Sequence, residues 1–332
     1  MKSPQDQPVI FLFGPTAVGK TQILADYFAR GFSSATPNSI PHGFEVVNAD
    51  SVQVYKHLDI GSAKADSEIT SIIPHHLIDL IEPWETWNVA DFITHADAAC
   101  KEIWSRGNIP IISGGTAFYF KHFLYGLSPA PKSDPDIRAT IDLYIRDQGL
   151  SKAYHYLTIV DPISAAKINP NDRYRISRAL EVFRASGRPL SSFATPTSPR
   201  AGLRTLILGL RRDKADLRAR ITQRVDLMLK NGLITEIRKL VQMGASLSWQ
   251  SMSAIGYHEF LVHTFTGEIS STVRALDALT LEDLAQIKSQ IINNTIHYAK
   301  RQMTFFKSFP NVHWLDPSDL GLLPEILSDF LP

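Results

Sequence analysis

A short glycine-containing stretch, Gly14 to Thr21, constrains the fold more than any other feature of the sequence. It reads Gly-Pro-Thr-Ala-Val-Gly-Lys-Thr and fits the phosphate-loop pattern G-x-x-x-x-G-K-[ST]. In such a loop, backbone N–H groups and the N-terminus of the next helix converge on phosphate oxygens. The lysine adds a positive charge, and the final hydroxyl can ligate Mg²⁺. The predicted phosphate ligands are Gly14, Pro15, Thr16, Ala17, Val18, Gly19, Lys20 and Thr21, with Thr21 also the predicted metal ligand.

The flanks of this loop have the strand and the helix that the motif requires. Pro8 to Phe13 is a short apolar run that predicts a strand. After the loop, Ile23, Leu24, Tyr27 and Phe28 recur at helical spacing, which predicts a helix from Lys20 to Arg30. These flanks favour a phosphate loop over the alternative, a glycine turn before an ordinary helix.

Further apolar runs alternate with helical segments along the chain. Phe44–Ala49, Ile109–Ser113, Thr205–Leu210 and Val312–Leu315 predict strands, and Val89–Arg106 predicts a helix between two of them. Strands that alternate with helices form a parallel, doubly wound sheet. The predicted fold class is therefore α/β: a P-loop NTPase-like parallel sheet flanked by helices, with an all-helical insertion domain.

Two segments rich in turn-forming residues divide the chain into parts. Ser128–Pro135 is rich in proline, and Leu190–Gly202 is rich in Ser, Thr, Pro and Gly. The periodicity between them is helical. We expect residues 1–127 to form the first part of the phosphate-loop core, 128–200 a helical insertion, and 201–332 the second part of the core with C-terminal helices.

The composition is that of an ordinary globular protein, with 44% hydrophobic and 20% charged residues among 332. A single cysteine, Cys100, excludes an internal disulfide and a cysteine-based metal cluster. The first apolar run is too short to span a membrane and leads into the glycine loop rather than to a cleavage site. We therefore expect a cytoplasmic protein without a membrane partner.

The net charge of +1 does not indicate nucleic acid, but two segments are locally basic. Between Arg173 and Arg188 there are five arginines and one acid, Glu181. Between Arg211 and Arg224 there are five arginines and one lysine against two acids. Such helices bind RNA phosphates in some proteins and are merely solvated in others, and the charge pattern alone leaves both readings open.

One acid at a strand end, Asp50, is a candidate for chemistry next to the bound phosphates. ATPases and GTPases usually hold Mg²⁺ with an acid at the end of another apolar strand, but the strand ending at Ser113 runs into Gly114-Gly115-Thr116. Ligands of open α/β sheets collect at the carboxyl ends of strands, so Asp50, Thr116 and the loop should face one crevice. A turn cap before Ser51 is the alternative role of Asp50.

More motifs follow the phosphate loop in a fixed order. They are Asn48–Lys56, Asp59–Lys64, Pro74–His76, Gly114–Tyr119, Asp134–Arg138, Asn169–Val182, Arg220–Met228, Ala254–Tyr257 and Tyr298–Thr304. Together with the loop, they resemble the bacterial type of the tRNA dimethylallyltransferase family over nearly the full chain. Each motif is weak alone, and the combination is specific.

The resemblance implies transfer of a dimethylallyl group from dimethylallyl diphosphate to N6 of adenosine 37 in tRNA. By the family pattern, the catalytic residues are Asp50, as general base for the amine, Thr116, near the target nucleotide, and Arg224, on the departing diphosphate. Mg²⁺ at Thr21 is the implied cofactor. Arg220 lies four residues before Arg224, and a solvated basic face that pairs with nearby acids is the alternative for both arginines.

The same pattern implies contacts with the anticodon stem-loop of the tRNA, because a stacked base must be pulled out while the rest of the RNA is held. We expect a monomer whose partners are tRNA and dimethylallyl diphosphate. The implied tRNA-binding residues are Asp50, Ser51, Val52, Gln53, Thr116, Arg138, Tyr174, Arg175, Ile176, Ser177, Arg178, Ser253, Ala254, Ile255, Gly256, Tyr257 and His258.

The chain departs from the family pattern at several places. Thr295 is followed by Ile296 where the family often has an arginine, and Phe305 replaces a usual tryptophan, which leaves RNA contacts from that helix, including Lys300 and Arg301, in question. The loop 31–43 is longer than usual. A C-terminal Cys/His finger of the eukaryotic kind is missing from the sequence.

Three other functions are compatible with parts of the sequence. A prenyltransferase acting on free adenine nucleotides would not need the helical insertion. A P-loop small-molecule kinase would consume ATP, the usual ligand of such a loop, and would use Asp50 as base for a hydroxyl. A non-catalytic RNA-binding protein would use the basic segments alone.

Overall fold

The computed structural model of the protein describes residues 6–29 and 43–331. Within them lie six strands: β1 (Gln7–Phe13), β2 (Phe44–Asn48), β3 (His75–His76), β4 (Ile109–Gly114), β5 (Leu203–Leu210) and β6 (His313–Leu315). They form one sheet in the order β3-β2-β4-β1-β5-β6, and every neighbouring pair is parallel. The predicted doubly wound sheet is confirmed, and β3 is an edge strand that the sequence pattern did not predict.

The α-helices of the described residues cover both faces of the sheet and form the insertion. They are α1 (Lys20–Ile23), α2 (Ser67–Ile72), α3 (Val89–Ser105), α4 (Ala117–Tyr125), α5 (Pro135–Gln148), α6 (Leu150–Val160), α7 (Pro162–Ala165), α8 (Arg173–Ser186), α9 (Lys214–Lys230), α10 (Leu233–Gln242), α11 (His258–Thr264), α12 (Ile269–Asp277), α13 (Leu281–Phe306) and α14 (Leu323–Phe330). None of these helices is long and apolar enough to cross a membrane.

The helix after the phosphate loop differs from its prediction. Only Lys20–Ile23 is α-helical, and the chain continues as π-helical turns from Leu24–Ala29. Wider π-helical turns are rare and occur frequently next to functional sites. Most of the predicted loop 31–43, together with Arg30, lies outside the described residues.

Two compact units make up the chain: a core unit of Met1–Phe123 and Ala201–Pro332, and a helical unit of Leu124–Arg200. The predicted insertion, residues 128–200, lies within this helical unit. The helical unit has a core of its own, in which α5, α6 and α8 contribute apolar side chains: Ile141, Ile145, Ala153, Leu157, Ile176, Ala179 and Leu180.

Packing of the long helix α13 against the central strand brings a distant part of the chain to the sheet. Residues Val9 to Phe13 of β1 are fully buried. At the end of the strand, the rings of Phe13 and Phe306 stack with centroids 4.2 Å apart and planes 10° apart. Side chains one turn before Phe306 are therefore held beside the loop that follows β1.

A buried carboxylate on β2 supports the edge of the sheet. Glu45 accepts hydrogen bonds from Arg106 (2.7 and 3.0 Å), Asn108 (2.8 Å) and His76 (2.7 Å). Burial raises the pKa of Glu45, but these hydrogen bonds outweigh it and lower the pKa from 4.5 to about 2. A carboxylate whose pKa is lower in the folded state stabilises the fold above its unfolded pKa and loses that contribution as the pH falls.

Replacing Glu45 with glutamine is therefore expected to lower the free energy of unfolding by about 1–3 kcal/mol at neutral pH, because Arg106, Asn108 and His76 lose a charged acceptor. Between pH 4.5 and about 2, the melting temperature of the wild type should fall more steeply than that of the variant. Thermal unfolding at a series of pH values measures both the loss of stability and its dependence on pH. Parallel pH curves for the two proteins would contradict this role of Glu45.

Candidate active site

The phosphate loop follows β1 and has the backbone of an anion-binding turn. Ala17 and Gly19 have positive φ angles of 63° and 111°, and Gly19 is the N-cap of α1. Backbone in such a mixed conformation directs successive N–H groups toward one point. Lys20 folds back over the loop, and its Nζ donates to the carbonyl oxygens of Gly14 (2.9 Å) and Pro15 (3.1 Å).

A cavity of about 550 Å³ in the core unit opens over this loop. That volume lies within the usual range for small-molecule sites. Many of the predicted site residues line it: Thr16, Ala17, Val18, Gly19, Lys20, Thr21, Asp50, Ser51, Val52, Gln53, Arg224, Ser253, Ala254 and Ile255. Gly14, Pro15, Thr116, Gly256, Tyr257 and His258 are not in the lining.

Lys20 is half-buried at this cavity, and its charge is sensitive to pH. Burial lowers the pKa of Lys20 from 10.5 to about 8; the Asp50 carboxylate raises it, and the Arg224 guanidinium lowers it further. In the free protein, Lys20 therefore loses its proton over a range in which an exposed lysine stays charged. A bound phosphate group would favour the charged form and raise the pKa again.

Binding of inorganic pyrophosphate near pH 9, above the folded pKa of about 8 and below 10.5, should therefore be accompanied by proton uptake at Lys20. Titration calorimetry in two buffers of different ionisation enthalpy measures the number of protons taken up. Lys20→Arg is the control, because its guanidinium stays charged and takes up no proton. Equal proton uptake in the two proteins would contradict the assignment to Lys20.

Asp50 follows β2 at the same edge of the sheet and uses one carboxylate oxygen to cap a turn. Oδ1 accepts from the N–H groups of Val52 (2.9 Å) and Gln53 (3.4 Å). Oδ2 faces the turn after β4 and lies 3.9 Å from the position of a Cβ on Gly115. The turn cap uses Oδ1 and leaves Oδ2 for the predicted role of proton acceptor, so the two roles predicted from the sequence are compatible.

The ends of β2 and β4 are joined by backbone and side-chain hydrogen bonds that place Thr116 beside Asp50. The N–H of Ala49 donates to Ser113 (2.7 Å), and the N–H of Thr116 donates to Ala49 (3.1 Å). Thr116 Oγ1 accepts from the N–H of Ser51 at 3.0 Å. Thr116 thus fixes the turn that carries Asp50, although its own side chain is outside the cavity lining.

Arg224, on α9, reaches the cavity as a half-buried cation. Its guanidinium donates to Thr16 Oγ1 (3.3 Å) and to the carbonyl oxygen of Ser62 (3.4 Å). Burial lowers the pKa of Arg224, whereas the negative charge of Asp50 raises it. Within the described part of the chain, Arg224 has no salt bridge, so its charge is available to an anion in the cavity. Arg220 is exposed instead and pairs with Asp216 at 3.1 Å.

Gln302 is a functional candidate that was not singled out from the sequence. This buried amide on α13 accepts from the N–H of Thr16 (2.9 Å) and donates to the carbonyl oxygen of Gly115 (2.7 Å). It connects the phosphate loop with the turn after β4. Tyr298, one turn earlier, also lines the cavity, and its pKa is raised to about 12 by burial and by the charge of Asp50. Both residues lie in the motif Tyr298–Thr304, which was the sequence feature that could have indicated them.

The predicted RNA-contact stretch 253–258 is only partly accessible. Ser253 and His258 are exposed, whereas Tyr257 is fully buried and its hydroxyl donates to Glu236 at 2.7 Å. Gly256 donates its N–H to Glu259 at 2.7 Å. Any RNA contact from this stretch therefore comes from its ends and from Ala254 and Ile255, which line the cavity.

In the helical unit, the predicted RNA-contact residues divide into exposed and buried ones. Tyr174 is 66% exposed and its ring lies under Arg138, at 5.2 Å from the guanidinium carbon. Arg175 is exposed and pairs with Asp172 at 3.2 Å. Arg178 donates to the buried Glu181 at 3.0 Å. Ile176 and Ser177 are buried, so their side chains support the helix rather than its outer surface.

The oxygen ligands at the cavity suit a magnesium ion that is held mainly by substrate phosphates. Among residues 6–29 and 43–331, no group of three or more His, Cys, Asp or Glu side chains forms a metal cage. Mg²⁺ is usually bound by one or two protein oxygens together with phosphates and water. The hydroxyl of Thr21, in the cavity lining at the start of α1, is the kind of ligand that such an ion uses.

Comparison with known proteins was made by sequence and by structure. The sequence profile of the family described as IPP transferase matches residues 53–309. A protein named tRNA dimethylallyltransferase from Xanthomonas campestris pv. campestris (strain 8004) is 37% identical, and the alignment covers 100% of this chain and 96% of that protein. One with the same name from Geobacter sulfurreducens is 36% identical, with coverage of 97% and 96%.

Solved structures agree with these sequence matches. The crystal structure of tRNA delta(2)-isopentenylpyrophosphate transferase from Staphylococcus epidermidis aligns with a TM-score of 0.61 and 31% identity, covering 97% of each chain. A eukaryotic dimethylallyltransferase acting on tRNA aligns with a TM-score of 0.71 and 25% identity, covering 97% of this chain and 80% of the other. The profile match, the full-length relatives and these structures show that the chain belongs to the IPP transferase family.

Proposed function

We propose that the protein transfers a dimethylallyl group from dimethylallyl diphosphate to N6 of adenosine 37 in tRNA and releases diphosphate. The observation that carries the proposal is the convergence of two half-buried cations, Lys20 and Arg224, with one carboxylate, Asp50, around a single cavity over the phosphate loop. The full-length relatives are named for this activity. We also propose that the protein acts in the cytoplasm and as a monomer.

The cations act on the leaving group. As the allylic C–O bond breaks, negative charge develops on the diphosphate, and the loop N–H groups, Lys20 and Arg224 stabilise that charge. Stabilisation that grows toward the transition state lowers the barrier. Mg²⁺ bound through the phosphates and the Thr21 hydroxyl would supply further positive charge to the same oxygens.

Asp50 acts on the other reactant. The N6 amine of adenosine forms a bond to the allylic carbon and must lose one proton, which Asp50 Oδ2 accepts while Oδ1 stays bonded to the turn. The products are N6-dimethylallyladenosine and diphosphate, with the proton on Asp50. Thr116 and Gln302 keep the turns around the reacting groups in place.

The acceptor is an RNA loop, so the protein must hold phosphates and bases as well as the reacting adenine. Exposed groups of the helical unit, Tyr174 and Arg175, provide a base-stacking ring and a phosphate ligand. Arg138 and Arg178 supply further charge from the same region. We propose that these groups, together with Ser253 and His258 in the core unit, contact the anticodon stem-loop.

A transfer assay with labelled donor tests the function. The protein is incubated with dimethylallyl diphosphate and unmodified tRNA, and in parallel with ATP labelled in its terminal phosphate. Label from the prenyl donor should enter tRNA, and a tRNA with guanosine at position 37 should remain unlabelled. Phosphoryl transfer without prenylation would overturn the proposal in favour of a kinase, and prenylation of free adenine nucleotides alone would favour the nucleotide prenyltransferase.

A further inference from the structure

One buried carboxylate of the core unit, Glu236 on α10, has four hydrogen-bond donors and lies outside the cavity lining. Oε2 accepts from the N–H groups of Asp59 (3.0 Å) and Ile60 (2.7 Å). Oε1 accepts from the N–H of Gly61 (3.1 Å) and from the hydroxyl of Tyr257 (2.7 Å). Three consecutive backbone N–H groups that converge on one carboxylate fix the conformation of the turn to which they belong.

The opposite side of this turn faces the cavity and its cation. The carbonyl oxygen of Ser62 accepts from Arg224 (3.4 Å) and from Gln53 Nε2 (3.2 Å), and that of Ala63 also accepts from Gln53 (3.2 Å). Ala63 has a positive φ of 48°, a backbone conformation that is unfavourable for alanine and needs support from its surroundings. The position of the Ser62 carbonyl beside Arg224 thus depends on how the turn is held from behind.

Close packing leaves the turn little room to rearrange. A Cβ on Gly61 would lie 2.5 Å from the ring of Tyr257, which is itself fully buried. In the described part of the chain, Glu236 has no cationic partner, so its charge is balanced by N–H and O–H dipoles alone. Buried carboxylates tolerate this only when their hydrogen bonds are satisfied.

We propose that Glu236 is a positioning residue for the diphosphate site: through residues 59–63, it holds the Ser62 carbonyl that orients the Arg224 guanidinium toward the bound diphosphate. The proposal rests on the proposed function only in the identity of the ligand. Arg224 has two weak partners, Thr16 Oγ1 at 3.3 Å and the Ser62 carbonyl at 3.4 Å. Loss of one of them would leave the guanidinium free to turn away from the cavity.

Replacing Glu236 with glutamine keeps the shape of the side chain and introduces an NH₂ group among donors. In either orientation of the amide, that group faces at least one backbone N–H, so the turn must shift. The expected result is a roughly tenfold weaker affinity for inorganic pyrophosphate, a loss of about 1.4 kcal/mol. The KM for the prenyl donor should rise by a similar factor, and the affinity for tRNA should stay within about twofold.

A purely structural role of Glu236 predicts a different pattern, and two comparisons separate the alternatives. Glu45→Gln is the matched control: it removes an equally buried carboxylate that has no contact with residues 59–63, and it should lower the melting temperature without changing pyrophosphate affinity. In an Arg224→Gln background, Glu236→Gln should change that affinity by less than about twofold, because interacting residues are not additive.

Pyrophosphate affinities of the wild type and these four variants, measured by calorimetry, decide the proposal without any prenyl transfer. It is overturned if Glu236→Gln binds pyrophosphate as the wild type does, or if its effect is unchanged in the Arg224→Gln background. If Glu236→Gln fails to fold, Tyr257→Phe removes one of the four hydrogen bonds and should weaken pyrophosphate binding in the same direction by a smaller factor. An unchanged affinity in that variant would also overturn the proposal.

Discussion

Replacing Asp50 with asparagine is expected to lower kcat for prenyl transfer by about 10²–10⁴, the usual contribution of a positioned general base. The asparagine side-chain oxygen can still accept from the N–H groups of Val52 and Gln53, so the turn after β2 should be preserved. What is lost is the ability to take a proton from the amine. Single-turnover rates with saturating donor and tRNA measure the chemical step directly.

The control for this prediction is Asp66→Asn. Asp66 caps α2 by accepting from the N–H of Ile69 at 2.9 Å, is exposed, and is outside the cavity lining. Asparagine caps helices about as well as aspartate, so the rate should be unchanged. Affinity for tRNA should differ by less than about twofold between Asp50→Asn and the wild type. A variant at Asp50 that loses tRNA binding in parallel with its rate would show that the residue binds RNA instead of accepting a proton.

The second large effect is expected at Arg224. Arg224→Gln should lower kcat/KM for the prenyl donor by about 10²–10³, because a preorganised cation on the leaving group is lost. The kcat/KM of Arg224→Lys should lie between those of Arg224→Gln and the wild type, since lysine keeps the charge and loses the planar fork. Steady-state kinetics with donor as the varied substrate measure the loss.

Thermal stability distinguishes this catalytic role from a structural one. Arg224 is half-buried without a carboxylate partner in the described residues, and desolvation lowers its pKa, so its charge costs folding free energy. Arg224→Gln should therefore melt at or above the wild-type temperature. Arg220→Gln, one turn earlier on α9 and exposed, should keep wild-type kinetics. A lower melting temperature with proportionate loss of activity would assign Arg224 to the fold alone.

The sheet and the loop that follows its central strand could be predicted because each depends on residues close together in sequence. An apolar run, a glycine loop and apolar residues at helical spacing determine the β1–loop–α1 unit locally. Asp50 likewise comes at the end of the next apolar run along the chain, which forms β2. The two-residue strand β3 has no such pattern. His75 and His76 pair with Val46 and Val47 because tertiary packing places them at the edge.

The remaining parts of the site depend on contacts between distant positions. Gln302 meets Thr16 across 286 positions, and Glu236 meets Ile60 across 176. In local sequence, Gln302 and Glu236 have the same pattern as ordinary surface residues of amphipathic helices. Burial also changes the interpretation of residues within a motif, since Ile176, Ser177 and Tyr257 lie inside the protein while Arg175 and His258 beside them are exposed.

The link between Gln302 and Thr16 makes assembly of the site depend on the order of synthesis. Thr16 of the phosphate loop is synthesised 286 residues before Gln302, whose amide oxygen accepts from it. At about 5–20 residues per second, the two events are separated by some tens of seconds. A nascent chain, or a product that terminates before α13, therefore carries a phosphate loop whose connection to the turn after β4 has not yet formed.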